Sequence, residues 1–324
     1  MAKTFFKIFF IFLVVFTLVL IPVMKIVSQV QIFQSEDGVE GSIEEEMSVL
    51  VDPESEFFQA FKNANRVNML VVGINDNLSD TIMLVSWDMD KDKVDIISVP
   101  RDTYYEREGH TGLGEKKINA AYVSGGIVET ANAVSDVLMG IPINYYAVVD
   151  YDSVKNIVDG VGGVPIDVQQ NMKYDDPSDD PPLHIDIKKG EQTLDGEKAV
   201  QYLRYRKGYK NGDIGRVSAQ QEFMKALFKQ CLRNGILDSA KLITKNVKSD
   251  ITIGAISKYA LKATGLNADS IETYTMPGEG KYIDELSYYV QDVDATKEML
   301  TEIYDMTASS DDSVESTEDS EVVE

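Results

Sequence analysis

Cysteine and histidine are almost absent from this chain. Its 324 residues include a single cysteine, Cys231, so an internal disulfide is excluded. Cys231 falls on the apolar face of a predicted helix, where a small buried hydrophobe is a better interpretation than a nucleophile. The two histidines, His110 and His184, are far apart in sequence and lack a metal-ligand spacing. Neither a zinc site nor a Ser-His-Asp triad is therefore indicated.

Basic residues are also few. The chain has 31 lysines and arginines against 54 aspartates and glutamates, which gives a formal net charge of −23. Because such a charge repels polyanions, no nucleic acid partner is expected. Part of the acidity lies in residues 306–324, which contain no basic residue and are predicted to be a disordered acidic tail. Hydrophobic residues make up 44% of the chain, which indicates a folded domain with a substantial core.

The N-terminus contains a long apolar run. Residues 8–24 carry no charge, and Lys3 and Lys7 precede them. With its apolar flanks the run is long enough to span a bilayer, so residues 8–30 are predicted to be a single-pass anchor. Acidic residues follow, which predicts a cytoplasmic segment at 1–7 and an extracellular domain beyond the cell membrane. A cleaved signal peptide is the alternative, but no small-x-small cleavage site follows the run.

Strand and helix patterns alternate after an acidic extracellular linker at 31–64. Strands are predicted at 67–72, 81–87 and 94–99 from short runs rich in Val, Ile and Leu, and further strands at 145–149, 164–168, 271–275 and 287–290. Helices are predicted from apolar spacing at 126–138, 153–158, 197–203, 216–234, 251–264 and 294–304. Residues 174–183 are rich in Asp and Pro and are predicted to be a loop. This interleaving favours one layered α/β domain over 65–305.

Four polar clusters stand out in this domain. They are Ser79-Asp80-Thr81, Pro100-Arg101-Asp102-Thr103, Lys117-Ile118-Asn119, and a longer stretch that contains Arg204, Arg206, Asp213, Arg216 and Gln220. A guanidinium group matches phosphate oxygens two at a time, so several arginines indicate a diphosphate or similar ligand. The nearby carboxylates would be repelled by that ligand unless a hard cation such as Mg2+ joined them. For any single cluster, ordinary surface salt bridges are the alternative interpretation.

Arg216 weakens that alternative. In the predicted helix 216–234, Gln220 and Arg216 continue the apolar face that includes Phe223 and Leu227. A buried arginine is costly unless it pairs with an acid or faces a ligand cavity. Asp213 lies just ahead of the helix, where it either caps free N–H groups or helps to form a site for an anion.

Arg204 and Arg206 are two residues apart. On an extended segment two such side chains point the same way, whereas on a helix they do not. The predicted helix at 197–203 is therefore expected to end near Leu203, so that both guanidinium groups contact the same ligand.

The ordered set of motifs resembles the LytR-CpsA-Psr family. The segments that carry the resemblance are Ser79-Asp80-Thr81-Ile82-Met83-Leu84, Ser98-Val99-Pro100-Arg101-Asp102-Thr103, Lys117-Ile118-Asn119-Ala120-Ala121-Tyr122, Gly162-Gly163-Val164, Leu194-Asp195-Gly196-Glu197-Lys198-Ala199, and the stretch from Arg204 to Gln220. The resemblance covers the whole predicted exterior domain, including Met276-Pro277-Gly278 and Ser287-Tyr288-Tyr289-Val290, and the ordered set is more specific than any one motif. The resemblance implies an α/β/α sandwich with a mixed central sheet and an apolar pocket for a lipid chain.

The resemblance also implies a function. Members of this family are taken to be membrane-anchored phosphotransferases of Gram-positive cell walls. They transfer a glycopolymer, such as wall teichoic acid or capsular polysaccharide, from a polyprenyl diphosphate carrier to peptidoglycan, and polyprenyl phosphate leaves. Two alternatives stay open: a non-catalytic regulator that binds polyprenyl phosphates, and a hydrolase that releases the glycan to water.

Residue roles follow from the resemblance by position. The diphosphate site would comprise Arg101, Lys117, Arg204, Arg206, Asp213, Arg216 and Gln220, with Asp213 orienting an arginine. Asp80, Arg101 and Asp102 would be catalytic. Asp80 and Asp102 are the candidates for holding Mg2+ or Mn2+, and either of them is a candidate for accepting the proton of the attacking hydroxyl.

Two positions depart from the family pattern. Leu78 stands where an arginine is frequent, and Asn75, a third candidate metal ligand, stands where an aspartate is frequent. Asp76 is adjacent and is a candidate substitute. Without such a substitute, the departures predict weaker metal binding or a partial loss of catalytic function.

Overall fold

A six-stranded mixed sheet organises the protein. The computed structural model describes residues 56–75, 78–178, 182–210, 212–234, 242–243, 245–251 and 270–306. The strands are β1 (Arg66–Asn75), β2 (Leu78–Asp88), β3 (Lys93–Ser98), β4 (Tyr145–Val149), β5 (Val164–Val168), β6 (Met172–Asp176), β7 (Leu183–Ile187), β8 (Gly190–Leu194), β9 (Lys248–Ser249), β10 (Ile271–Thr275), β11 (Gly278–Ile283) and β12 (Leu286–Gln291). The order in the central sheet is β10-β3-β2-β1-β4-β9.

Strand directions explain why several chain ends meet at one edge of the sheet. β2 runs antiparallel to both β1 and β3, whereas β4 runs parallel to β1. The ends of β1, β3 and β4 and the beginning of β2 therefore lie at the same edge. Polar residues at these ends can converge, although they are far apart in sequence.

Side-chain alternation gives the sheet two apolar faces. In β1, Leu70 and Val72 face the main core, whereas Met69 and Val71 line a cavity on the opposite face. The register continues the pattern across strands, since Leu70 lies opposite Leu84 and Val71 opposite Met83. Each apolar face therefore needs its own cover of helices.

Helices provide that cover on both faces. They are α1 (Glu56–Asn63), α2 (Ala121–Val137), α3 (Tyr151–Gly160), α4 (Gly196–Arg204), α5 (Asp213–Asn234) and α6 (Val293–Ile303). α1, α2 and α6 contribute Phe57, Val134 and Leu300 to the main core. Leu203 of α4 and Phe223 of α5, together with residues of α3, line the cavity on the other face. The predicted α/β fold with a mixed central sheet is confirmed.

A second core lies beside the sheet. The antiparallel pairs β5–β8 and β6–β7 pack on α4 and α5, with Val164, Met172, Ile185 and Tyr202 among the buried residues. Asp195 begins α4 as a cap, since its carboxylate accepts a hydrogen bond from the Lys198 backbone N–H at 2.8 Å. This core holds the hairpin β6–β7 against the rest of the domain.

Two helices begin earlier than predicted: α2 at Ala121 instead of 126, and α5 at Asp213, which was expected just ahead of the helix. Two further segments, predicted to be a loop and a linker, contain regular structure. Residues 174–183, predicted to be a loop, include parts of β6 and β7, because Tyr174 and Ile185 pair across the hairpin and pack in the second core. The linker predicted at 31–64 includes α1, whose Phe57 and Phe61 are each only 5% exposed. Both predictions weighed the polar composition and overlooked the apolar residues at alternate or helical positions within it.

Several predicted segments lie outside the described residues. They are the anchor at 8–30, most of the linker, most of the helix at 251–264, the tail from 307 onwards, and Asp76. Among the helices that the structure describes, none is both long enough and apolar enough to cross a membrane.

Candidate functional site

A polar cavity of about 340 Å³ opens at the edge where β1, β3 and β4 end. Its walls carry five cationic and two acidic side chains, in contrast to the strongly acidic chain as a whole. These are Arg101, Arg204, Arg206, Lys207 and Arg216, with Asp80 and Asp176. Such an excess of guanidinium groups is suited to a multiply charged anion.

Local structure brings the site residues to this edge. Asp80 lies near the beginning of β2, and Arg101 follows the end of β3. α4 ends at Arg204, one residue later than predicted, and Tyr205 is extended with φ −65° and ψ 129°. Arg204 is thus still helical and not extended as predicted, but Arg204 and Arg206 both line the cavity.

Arg101 is held by carboxylates. Its Nη1 donates to Asp80 Oδ1, and its Nε lies 3.9 Å from Asp213 Oδ1. Burial alone would lower the pKa of Arg101, but Asp80, Asp102 and Asp213 together raise it, so the guanidinium stays charged. The buried Nε has no hydrogen-bond partner, and an unmet buried donor is costly unless a ligand satisfies it.

Arg216 is the most buried cation of the site, with a side chain only 4% exposed. Its Nη2 donates to Asp80 O at 3.2 Å and to Asp213 Oδ2 at 3.1 Å. Burial lowers the pKa of Arg216, Asp213 opposes that shift, and the charge of Arg101 adds to it. The Nε of Arg216 also lacks a hydrogen-bond partner. Two unmet guanidinium donors therefore lie in one charged site.

Asp102 and Lys117 form a pair beside this cavity. Lys117 Nζ donates to Asp102 Oδ1 at 2.9 Å and lies 5.8 Å from the ring centroid of Tyr288. Neither residue lines the polar cavity, although the charge of Asp102 acts on Arg101. The structure thus brings Asp80, Arg101, Arg204, Arg206, Arg216 and Asp213 together and leaves Asp102 and Lys117 adjacent to them.

An apolar cavity of about 190 Å³ adjoins the polar one. It lies between the sheet face of Met69 and Met83 and the helix residues Phe223 and Leu227. The predicted residue Gln220 lies here, 5% exposed, with its Nε2 donating to Leu203 O at 3.5 Å. Asp80, Tyr151 and Arg216 line both cavities, which makes them two halves of one site.

Tyr151 is a site residue that the sequence did not single out. The Cζ atom of Arg204 lies 4.8 Å from its ring centroid, within range of a cation–π contact. Burial raises the pKa of Tyr151 to about 12, with Asp80 adding to the shift and three arginines opposing it. The phenol therefore stays neutral. Lys207 was also missed, although it lies within the stretch from Arg204 to Gln220. Tyr174, Asp176 and Ser178 were missed because they lie outside the motifs singled out in the sequence.

No ready-made metal cluster occurs among the described residues: no group of three or more His, Cys, Asp and Glu side chains is placed to hold an ion. Asp80 pairs with Arg101, and Asp102 pairs with Lys117. Asn75 lines the polar cavity together with Asp80. The oxygen ligands expected from the sequence are therefore divided between the cavity and its flank.

Comparison with known protein families identifies this architecture. Residues 28–305 match the LytR_cpsA_psr family. The chain belongs to this family. The matched range contains every segment that carries the resemblance in the sequence, and the structure places six of their charged residues on the walls of the two joined cavities.

Curated relatives of this LytR_cpsA_psr chain carry two kinds of name. It is 34% identical over 241 residues to the polyisoprenyl-teichoic acid–peptidoglycan teichoic acid transferase TagV of Bacillus subtilis, covering 71% of this chain and 61% of TagV. TagU of Bacillus licheniformis, named as the same kind of transferase, is 26% identical over 251 residues, 74% of this chain and 78% of TagU. The regulatory protein MsrR of Staphylococcus aureus is 30% identical over 234 residues, 69% of this chain and 68% of MsrR.

The fold agrees with a solved member of the family. The crystal structure of B. subtilis TagV superimposes with a TM-score of 0.62 at 30% sequence identity, covering 76% of this chain and 100% of that chain. In the curated comparison, however, the chain spans less than two thirds of TagV.

Proposed function

We propose that this protein transfers a glycopolymer from a polyprenyl diphosphate carrier to peptidoglycan. The observation that carries the proposal is the junction of the two cavities. One half presents four arginines and a lysine, and the other is apolar, with Asp80, Tyr151 and Arg216 lining both. A lipid-linked diphosphate has the same two parts joined in the same way.

The cation-rich half is suited to the diphosphate. The free Nε donors of Arg101 and Arg216 need acceptors, and phosphate oxygens would supply them. Arg216 is also repelled by Arg101 and Arg206, whose charges lower its pKa. A bound anion would relieve that repulsion, so ligand binding and the relief of buried charge are coupled.

The apolar half is suited to the first isoprene units of the carrier. Its walls include Met83, Val149, Phe223 and Leu227. Each buried methylene group contributes roughly 0.8 kcal/mol, so a few isoprene units supply substantial affinity. Gln220 and Arg216 would keep the diphosphate at the mouth of this half, because both lie on the wall of the apolar cavity that α5 forms.

The reaction is a transfer of a glycosyl phosphoryl group. A peptidoglycan hydroxyl oxygen attacks the phosphorus nearer the glycan, and the bond from that phosphorus to the bridging oxygen breaks. The glycan phosphate is then joined to peptidoglycan, and polyprenyl monophosphate leaves with the electron pair of the broken bond. Arg101 and Arg216 would neutralise the developing charge, and a carboxylate, Asp80 or Asp102, would accept the hydroxyl proton.

Mg2+, or Mn2+, is proposed as the cofactor. Asp80 and Asp102 would hold it with Asn75, and these oxygen donors fit a hard cation, which usually takes one or two carboxylates together with substrate phosphates. Because Asp80 and Asp102 now pair with Arg101 and Lys117, binding of the ion would require these cations to turn towards the diphosphate. When bound, the ion would supply charge neutralisation at the phosphoryl oxygens.

We place the protein in the cell membrane. The apolar run at 8–30 would be its single-pass anchor, with the N-terminus inside and the described domain outside. This location would bring the site close to a carrier whose lipid lies in the same membrane. Peptidoglycan, the second substrate, lies on the same side.

A regulator that binds polyprenyl phosphates without turnover is the second candidate. Leu78 and Asn75 both line the polar cavity, at positions where the family often has a cation and a carboxylate. Leu78 is 39% exposed, so it leaves an apolar surface at the rim of a site for an anion. A relative named as a regulatory protein shares about the same identity as the named transferases.

One incubation tests the proposal. The purified full chain in detergent would be incubated with a short-chain polyprenyl-diphosphate-linked glycan, Mg2+ and peptidoglycan fragments. The products would be identified by mass spectrometry. The proposal predicts a glycan phosphate joined to peptidoglycan. Arg101→Ala should abolish this product, whereas Arg233→Ala, an exposed arginine in the last turn of α5, should not.

The other outcomes assign the alternatives. Polyprenyl monophosphate without an adduct would identify a hydrolase. Tight binding without turnover, under conditions in which a known transferase of the family is active, would identify a regulator and overturn the proposal.

A further inference from the structure

The hairpin β6–β7 forms a wall of the polar cavity that the proposed reaction does not yet use. Tyr174, Asp176 and Ser178, which lie on or directly after β6, and Leu183 of β7 all line the cavity. None of these four residues lines the apolar cavity. The hairpin therefore contacts only the part of the site that the lipid does not occupy.

The position of the hairpin indicates how the ligand is oriented in the site. The lipid end of the ligand must leave the polar cavity past Asp80, Tyr151 and Arg216, since these residues line both halves. The diphosphate occupies the arginine-rich centre. The group on its other side must then pass residues that are unique to the polar cavity, and in the proposed function that group is the first sugar of the glycan.

Asp176 needs an explanation in this position. A carboxylate beside five cationic side chains weakens the binding of a diphosphate, so its presence indicates a different ligand group. Its oxygens are fixed by neighbours: Oδ2 accepts from Tyr174 Oη at 2.9 Å, and Oδ1 accepts from Ser178 N at 3.1 Å and Ser178 Oγ at 2.6 Å. These bonds lower the pKa of Asp176, with Ser178 as the largest cause, and keep the carboxylate ionised.

The carboxylate retains capacity for a ligand. A carboxylate accepts about four hydrogen bonds, and Asp176 uses three within the hairpin. Lys207 Nζ lies 4.3 Å from the ring centroid of Tyr174 and adds a donor on the same wall. A fixed acceptor and a donor above an aromatic ring are suited to a sugar, whose hydroxyl groups both donate and accept.

We propose that the hairpin β6–β7 is the glycan-side wall of the site, and that Asp176 accepts a hydrogen bond from a hydroxyl of the sugar attached to the diphosphate. This inference rests on the proposed function. It makes Asp176 a specificity residue, because a carrier whose sugar has no hydroxyl at that position leaves the carboxylate without this bond.

Two probes separate recognition of the sugar from recognition of the diphosphate. They are geranylgeranyl diphosphate and geranylgeranyl diphospho-N-acetylglucosamine, titrated calorimetrically into the full chain in detergent. Asp176→Asn should weaken binding of the sugar-bearing probe about 5-fold, because a charge-assisted hydrogen bond is roughly twice as strong as a neutral one. Binding of the sugar-free probe should stay the same or become tighter, since a negative charge is removed.

Asp175→Asn is the matched control. Asp175 is the neighbour of Asp176 on β6, it does not line the cavity, and it pairs with His184 across the hairpin. This variant should bind both probes as the wild type does. A second variant, Tyr174→Phe, removes one bond to Asp176 and keeps the ring beneath Lys207, so it should show a smaller loss for the sugar-bearing probe alone.

The outcomes distinguish failure of the hairpin inference from failure of the proposed function. Equal affinity of the wild type for both probes, or equal loss of both probes in Asp176→Asn, would overturn the hairpin inference and leave the proposed function standing. Failure of the wild type to bind either probe would remove the proposed function itself. A selective loss in Asp176→Asn but not in Asp175→Asn supports the inference.

Discussion

Arg216→Met should be nearly as stable as the wild type in the absence of ligand. It should bind diphosphate much more weakly. The side chain of Arg216 is 4% exposed, so methionine of similar length removes a desolvated charge and its repulsion from Arg101 and Arg206. Asp213 is 23% exposed and keeps Arg101 at 3.9 Å, so it is not left as an unpaired buried charge. The free energy of unfolding should therefore stay within about 2 kcal/mol of the wild-type value.

Arg66 provides the contrast, since the same substitution there should be far more damaging. Its side chain is 3% exposed and bonds Asp95, which is fully buried, at 2.8 Å and Asp88 at 3.3 Å. Arg66 also donates to Ile303 O at 2.6 Å. Arg66→Met leaves Asp95 with only the partly exposed Lys93, so we expect a loss of about 3–5 kcal/mol.

The stabilisation that bound ligand gives to each protein can also be estimated. A polyprenyl diphosphate at 100 times its Kd stabilises the wild type by about 2.7 kcal/mol. Removing hydrogen bonds from a charged group costs about 1.5–3 kcal/mol, which is roughly 10- to 100-fold in affinity. At the same ligand concentration, the stabilisation of Arg216→Met should fall to about 0.4–1.4 kcal/mol.

The assay uses the only tryptophan of the chain. Trp87 lies in β2 and is fully buried, so its fluorescence reports unfolding of the central sheet. Urea titrations of the wild type and both methionine variants in detergent give the free energy of unfolding of each protein. Repeating them with geranylgeranyl diphosphate gives the stabilisation by ligand. The reasoning is refuted if Arg216→Met costs as much as Arg66→Met, or if the ligand protects it as strongly as the wild type.

Three further predictions concern the junction and its supports. Tyr151→Ala should weaken diphosphate binding about 2- to 30-fold in calorimetry through loss of the ring beside Arg204, whereas Tyr151→Phe keeps the ring and the affinity; equal losses would contradict the cation–π role. Val149→Trp should fill the apolar cavity and abolish binding of geranylgeranyl diphosphate but not of inorganic diphosphate, and retained binding of both would show that the tail lies elsewhere. Asp150 caps α3, so Asp150→Ala should cost about 1 kcal/mol at neutral pH. Burial raises the pKa of Asp150, but hydrogen bonds from Ser153 outweigh burial and lower it. The stabilisation by the ionised cap is therefore full above the unfolded pKa of about 3.9 and is lost as the pH falls through the folded pKa. Urea titrations in which Asp150→Ala costs as much at pH 3 as at pH 7 would exclude a role for the ionised carboxylate.

The predicted strands at 67–72, 81–87 and 145–149, which are largely apolar, lie within β1, β2 and β4 of the central sheet. In β6 and β11, by contrast, many residues are polar, and neither segment was predicted to be a strand. Short hairpins at a surface bury only alternate residues, and this pattern is weak over five or six residues.

Some residues of the site could likewise be predicted from the sequence, and others could not. Arg216 and Gln220 could be found because two polar residues continue an apolar helical face, and Arg204 and Arg206 because of their spacing. Tyr151 reaches the cavity through strand order and Asp176 through the hairpin, and neither feature is encoded in a local pattern. Residues that converge from separate elements need the fold before they can be recognised.

The most direct test of the joined site is to locate the lipid end of a bound ligand and to ask whether its binding depends on the diphosphate end. A short polyprenyl diphosphate with a photoreactive diazirine near its first isoprene unit would be crosslinked to the full chain, and the labelled peptides mapped by mass spectrometry. We predict labels on residues of the apolar cavity such as Met83, Phe223 and Leu227, with labelling suppressed by inorganic diphosphate and by Arg101→Ala. Labels elsewhere on the described domain, or labelling that Arg101→Ala does not affect, would contradict a single site formed by the two cavities.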